Sequence, residues 1–130
     1  MPVIMHALPE ADWAAAERAG EYRPASLDEE GFIPLQDPAD IVAHTNERYA
    51  REERDDIGVF AVRSETLGDA LRYEDIDGGR RPRLYGSVAP DGVAMWGHFP
   101  RDRHGFHLPE WAVDLVAADR LPEEANGEFR

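Results

Sequence analysis

The residues with the most chemical content lie in Leu71–Val88, LRYEDIDGGRRPRLYGSV. Side chains alternate along a strand, so a strand over Leu71–Glu74 sets Arg72 and Glu74 on one face and Leu71 and Tyr73 on the other. A second strand over Arg83–Val88 sets Arg83, Tyr85 and Ser87 opposite Leu84 and Val88. If the two strands are neighbours, one surface gathers Arg72, Glu74, Arg83, Tyr85 and Ser87. A carboxylate between arginines keeps its charge. Held in place, it can stabilise a developing cation or orient a ligand hydroxyl. The competing reading is a solvated sheet face with ordinary cross-strand ion pairs.

Other groups carry weaker signals. Gly78-Gly79 followed by Arg80 and Arg81 could hold phosphate through backbone N–H groups and guanidinium forks, but lacks nucleotide-fingerprint spacing. His98, His104 and His107 fall within ten residues. Arg101 and Arg103 stand among them and no carboxylate motif frames them, so no metal site is expected. Glu74, Asp75 and Asp77 do not fit a calcium loop. No GxSxG, HExxH or Ser–His–Asp pattern occurs. His6 stands at the end of a short apolar run, where a strand-end imidazole often meets a ligand; a half-buried, hydrogen-bonded histidine is the alternative.

These groups need elements to position them. Val3–Leu8 reads as a first strand, and Pro9–Ala19 as a helix with Pro9 at its first position and Gly20 as its C-cap. Glu21–Glu30 is polar and ends at Gly31. GFIPL (Gly31–Leu35) reads as a short strand at a sheet edge or bulge because of Pro34. A second helix starts at Asp37-Pro38, with Asp37 as N-cap, and runs to Arg51. Ile57–Val62 is apolar on both faces and reads as a central strand. Asp75–Pro82 reads as a turn-rich loop. Val93–Phe99 is the last strand, and Pro109–Asp119 a third helix with Trp111, Ala112, Leu115 and Val116 on its apolar face. Strands gather in the second half without crossover helices between them, which predicts α+β rather than a doubly wound sheet.

Composition bounds the rest. The chain has 130 residues, 42% hydrophobic and 32% charged, the size and make-up of one domain. We expect a single α+β domain over 1–121, with a core at about 3–99, an extension over 100–121 and a flexible acidic tail over 122–130. The formal net charge of −13 argues against a nucleic-acid partner. No apolar run is long enough to span a bilayer and no secretory signal is read at the N-terminus, so a cytoplasmic location and no membrane partner are expected. There is no cysteine, and all 14 basic residues are arginine. Thiol and thiolate-metal chemistry are thereby excluded, as are Schiff bases and the P-loop lysine.

A strand carrying His6, a helix with Trp13 and Gly20, EYRPASLDEEGFI (Glu21–Ile33), LGDALRYEDIDGG (Leu67–Gly79) and LYG (Leu84–Gly86) occur in that order. Together they resemble the bacterial family known as domain of unknown function 952, over about residues 3–99. The resemblance implies a place in the ADP-ribosyltransferase-like superfamily, with a split β-sheet around a nicotinamide-nucleotide groove. It implies that His6 holds a ribose and that Glu74 stabilises charge built up as an N-glycosidic bond breaks. By the same resemblance Tyr85 is a stacking or hydrogen-bonding aromatic. The family pattern has histidines where this chain has Pro34 and Arg83, and a serine where it has Gln36. Arginine stays protonated and cannot replace an imidazole in acid–base work.

The expectation is therefore an α+β split-sheet domain with two helices in its N-terminal half and one at its C-terminal end, binding a small molecule. Glu74 and His6 are the candidate catalytic residues; Tyr85, Arg83, Arg72 and Phe32 are the candidate ligand contacts. NAD or a related nucleoside conjugate is the candidate ligand. The alternatives are a non-catalytic small-molecule or protein-binding module, or a biosynthetic enzyme with a non-nucleotide substrate.

Overall fold

A computed structural model describes residues 2–119 of the chain. The expected tail over 122–130 lies outside the described residues. The architecture is α+β, with antiparallel sheets and helices packed on them. β1 (Val3–Pro9), β3 (Ile57–Arg63) and β6 (Met95–His98) form one sheet with β3 in the middle. β2 (Ile33–Pro34), β5 (Gly79–Leu84) and β4 (Leu71–Ile76) form a second, with β5 in the middle. β7 (Arg101–Asp102) and β8 (Gly105–Phe106) make a small hairpin. The helices are α1 (Glu10–Ala19), α2 (Ala25–Glu29), α3 (Pro38–Arg48), α4 (Ser64–Leu67) and α5 (Glu110–Asp119). None is long and apolar enough to cross a membrane.

β1 and β3 are apolar on both faces because both faces are covered. Val3, Met5 and Ala7 join Ile57, Val59 and Ala61 in a core with α3, Phe99, Phe106 and Ala112 of α5. Ile4 and Leu8 join Phe60 and Val62 in a second core with Trp13 and Ala16 of α1, and with Ile33 and Leu84 of the second sheet. The period of two along β1 therefore sends His6 toward the second sheet, with Ile4 and Leu8. Gly58 is where β3 meets Trp96; a Cβ there would lie 2.2 Å from that indole. The free space lets Trp96 stack on Trp13, with ring centroids 4.7 Å apart.

Several boundaries differ from the expected ones. Pro9 closes β1, paired with Ile57, rather than opening the helix. Asp37 occupies the N-cap position of α3 but makes no side-chain capping bond. The polar stretch Glu21–Glu30 contains α2, only five residues long and so too short to show a helical period. The expected loop over Asp75–Pro82 is mostly ladder: β4 and β5 pair from Leu71↔Leu84 to Ile76↔Gly79. Only Asp77 and Gly78 turn, with φ of 50° and 83°. Two successive positive φ values match the twist of a two-residue hairpin, which Asp-Gly favours. Gly79 and Pro82 depress strand propensity here, but pairing outweighs it. The second strand in turn ends at Leu84 instead of continuing to Val88.

Candidate functional site

β1 carries His6 into the space between the sheets, where it is 7% exposed. Its Nδ1 lies 2.9 Å from the Pro34 carbonyl oxygen, and its Nε2 lies 2.9 Å from the Tyr22 hydroxyl. A carbonyl only accepts, so Nδ1 carries the hydrogen and donates. Nε2 is then the acceptor and the Tyr22 O–H donates to it. Burial pushes the His6 pKa down to about 4; the Pro34 bond opposes this, and Arg48 and His44 add to it. Burial likewise raises the Tyr22 phenol. Near pH 7 the pair is neutral and its tautomer is set.

His6 and Tyr22 line a cavity of about 740 Å³. Arg23 and Arg48 reach its wall, and Asp12, Glu21, Glu29 and Glu30 supply acid groups. Arg48 has no ion-pair partner among the described residues. Sequence reading did not single out Tyr22 or Arg48. Tyr22 offered one signal, a large aromatic two residues past a helix-ending glycine in a polar stretch; Arg48 offered none.

The β4–β5 register places Arg72 opposite Arg83, two residues from Glu74 on the same face. Arg83 Nη1 lies 3.3 Å from Glu74 Oε2. The Tyr85 hydroxyl donates to the other carboxylate oxygen, which raises the phenol. Arg83 also lies over the Phe32 ring, 4.1 Å from its centroid, and Arg72 lies 5.2 Å from the centre of Tyr85. Phe32 and Tyr85 are 5.8 Å apart. Arg72, Glu74, Arg83, Tyr85 and Phe32 thus form one cluster. Ser87 is not in it: the strand has ended, and Ser87 turns to Glu21 at 3.4 Å.

His6 stands apart from that cluster. Phe32 and Arg83 line a second cavity of about 220 Å³. Neither Glu74 nor Tyr85 lines this cavity or the first. Pro34 lines both cavities, so it is the saddle between them. The remaining candidates disperse. Residues 79–81 are ladder residues, so no phosphate-cradling loop forms, and Arg80 lies over Tyr73 instead. His98 contacts Glu10 and Asp55, whereas His107 contacts Asp102. Among the described residues, no group of three or more His, Asp or Glu side chains is placed to hold a metal ion.

Comparison with known proteins adds a relationship without an activity. The profile of a family described as protein of unknown function (DUF952) matches residues 7–96. The crystal structure of protein CC0527 from Caulobacter crescentus is similar, with 27% identity and a TM-score of 0.70. That match covers 88% of this chain and 98% of the Caulobacter chain. The solution NMR structure of CC0527 matches at 27% identity and a TM-score of 0.69, over 90% and 99% of the two chains. No curated protein matches significantly.

Proposed function

The chain belongs to the DUF952 family, and on that premise we propose that it is a small-ligand-binding domain whose main site is the cavity over His6 and Tyr22. The observation that carries this reading is the neutral His6–Tyr22 pair beside Arg48, in a cavity within the usual range of small-molecule sites. The Tyr22 oxygen donates to His6 and keeps lone pairs for a ligand hydroxyl. Arg48 offers a cation to a phosphate or carboxylate.

NAD and related nucleoside conjugates are the ligands to test first. They bring ribose hydroxyls for Tyr22 and phosphates for Arg48. The resemblance to ADP-ribosyltransferase-like proteins supports this choice, and so does the division of the strands into two three-stranded sheets. A ligand crossing Pro34 would reach Arg83, which pairs with Glu74. One observation favours binding without catalysis: both Glu74 oxygens already have donors from the protein, Arg83 and Tyr85.

Thermal shift with NAD, ADP-ribose and nicotinamide tests the proposal. Millimolar NAD or ADP-ribose should raise the Tm, and Arg48→Gln should remove most of the rise. No shift with any of the three would overturn the nucleotide reading. Loss of NAD turnover in Glu74→Gln, with the shift retained, would identify catalysis; absence of turnover in the native protein would identify a binding module.

A further inference from the structure

The second cavity holds a polar group that the described residues leave without a side-chain partner. Gln36 is 5% exposed and lines this cavity. Its backbone is committed, exchanging two hydrogen bonds with Met5 at 2.8 Å. Its side-chain amide has no hydrogen-bond partner among the described residues. No side-chain nitrogen or oxygen that is wholly closed off lacks a partner among those residues, so the Gln36 amide reaches the little open space it has. An amide with no partner among the described residues and little open space around it is poorly hydrated, and a ligand that bonds it makes up that shortfall.

The surrounding groups narrow the ligand. Arg81 and Arg83 both line the cavity, against one carboxylate, Asp77. Arg83 is held by Glu74 and by the Phe32 ring. Arg81 has no ion pair among the described residues. His44 completes the polar wall; burial, and then Arg48, hold its imidazole below the ordinary range, so it contributes a neutral hydrogen-bonding group. The volume of about 220 Å³ falls below that of sites for drug-sized molecules and leaves room for a single ring.

We propose that this cavity is a subsite for a small monocyclic acid, its carboxylate on Arg81 and an amide-type donor–acceptor edge on the Gln36 carboxamide. A carboxamide presents one donor and one acceptor side by side, which pairs with an amide edge through two bonds. A guanidinium adds a charge-assisted bond to the carboxylate. The assignment does not rest on the reading of the first cavity.

Three probes separate the two contributions in the full chain labelled with ¹⁵N. Orotate has both the carboxylate and the amide edge, uracil has only the edge, and benzoate has only the carboxylate. Orotate should bind about tenfold or more tightly than either and move the side-chain N–H₂ signals of Gln36. Arg81→Gln should reduce orotate to the level of uracil, and Gln36→Leu should reduce it to the level of benzoate. Tyr22→Phe, in the first cavity, should leave orotate binding unchanged. Equal binding of the three probes, no binding, or saturation without movement of the Gln36 signals would overturn the assignment. If Gln36→Leu does not fold, the exposed Arg81 decides the matter: unchanged orotate affinity in Arg81→Gln overturns it.

Discussion

His6 is 7% exposed, and both its ring nitrogens are bonded inside the protein. Tyr85 is 38% exposed and bonds a carboxylate that is itself 36% exposed. The two sites use the same kind of contact, a tyrosine hydroxyl on an acceptor, at different depths. Depth decides what each is worth. In the buried pair, a lost partner leaves a polar atom with little access to water, and near neutral pH the imidazole stays unprotonated. In the outer cluster, water substitutes for any partner that leaves, and salt screens the charges. The inner pair is thus fixed by burial and two hydrogen bonds, whereas the outer cluster is held by exposed contacts that water can replace.

The largest test of this contrast is acid. The His6 pKa is about 4 in the folded chain, against 6.5 for an unperturbed histidine. Between these values the unfolded chain binds the extra proton, so stability is full above about pH 6.5 and falls as pH drops toward 4. The loss is on the order of 3 kcal/mol. Urea unfolding at pH 7.5 and pH 4 should therefore converge for the wild type and His6→Gln as the medium becomes acid. Parallel losses in both proteins would put the acid sensitivity elsewhere.

A smaller effect is expected from Tyr22→Phe, which strips the donor from Nε2. It should cost about 1–3 kcal/mol of unfolding free energy, read from urea titration at neutral pH. A neutral result would mean that water enters the pair and that its depth is only apparent. The smallest effects belong to the outer cluster. Glu74→Gln and Tyr85→Phe should each leave stability nearly unchanged in the same urea titration, because exposed pairs contribute little. A loss comparable to that of Tyr22→Phe would erase the distinction between the two sites.

The outer cluster was legible because it is local. Arg72, Glu74 and Arg83 sit on two strands joined by a two-residue turn, and alternation alone puts them on one face. Tyr85 joins them although the strand has ended, its N–H donating to Ala70 at 2.8 Å. Ser87 shows the limit of the same reasoning, since a strand that stops early loses its alternation. Phe32 reaches the cluster through the β2–β5 pairing, in which Ile33 lies opposite Leu84. The inner pair was half legible. His6 could be suspected from its strand, but its partners Pro34 and Tyr22 lie 28 and 16 residues away.

Residue order alone was enough for the α+β class, the doubly apolar β3, the absence of thiol and lysine chemistry, and the Arg72–Glu74–Arg83 face. Each of these follows from residue identity or from a period of two. Tertiary structure alone decided that His6 is a neutral imidazole under Tyr22 rather than a partner of Glu74, and that Pro34 stands between two cavities. It also decided that Gln36 is buried without a side-chain partner among the described residues. Depth and long-range pairing set those properties, because protonation and hydrogen-bond cost depend on how much water remains after segments far apart in the chain have packed together.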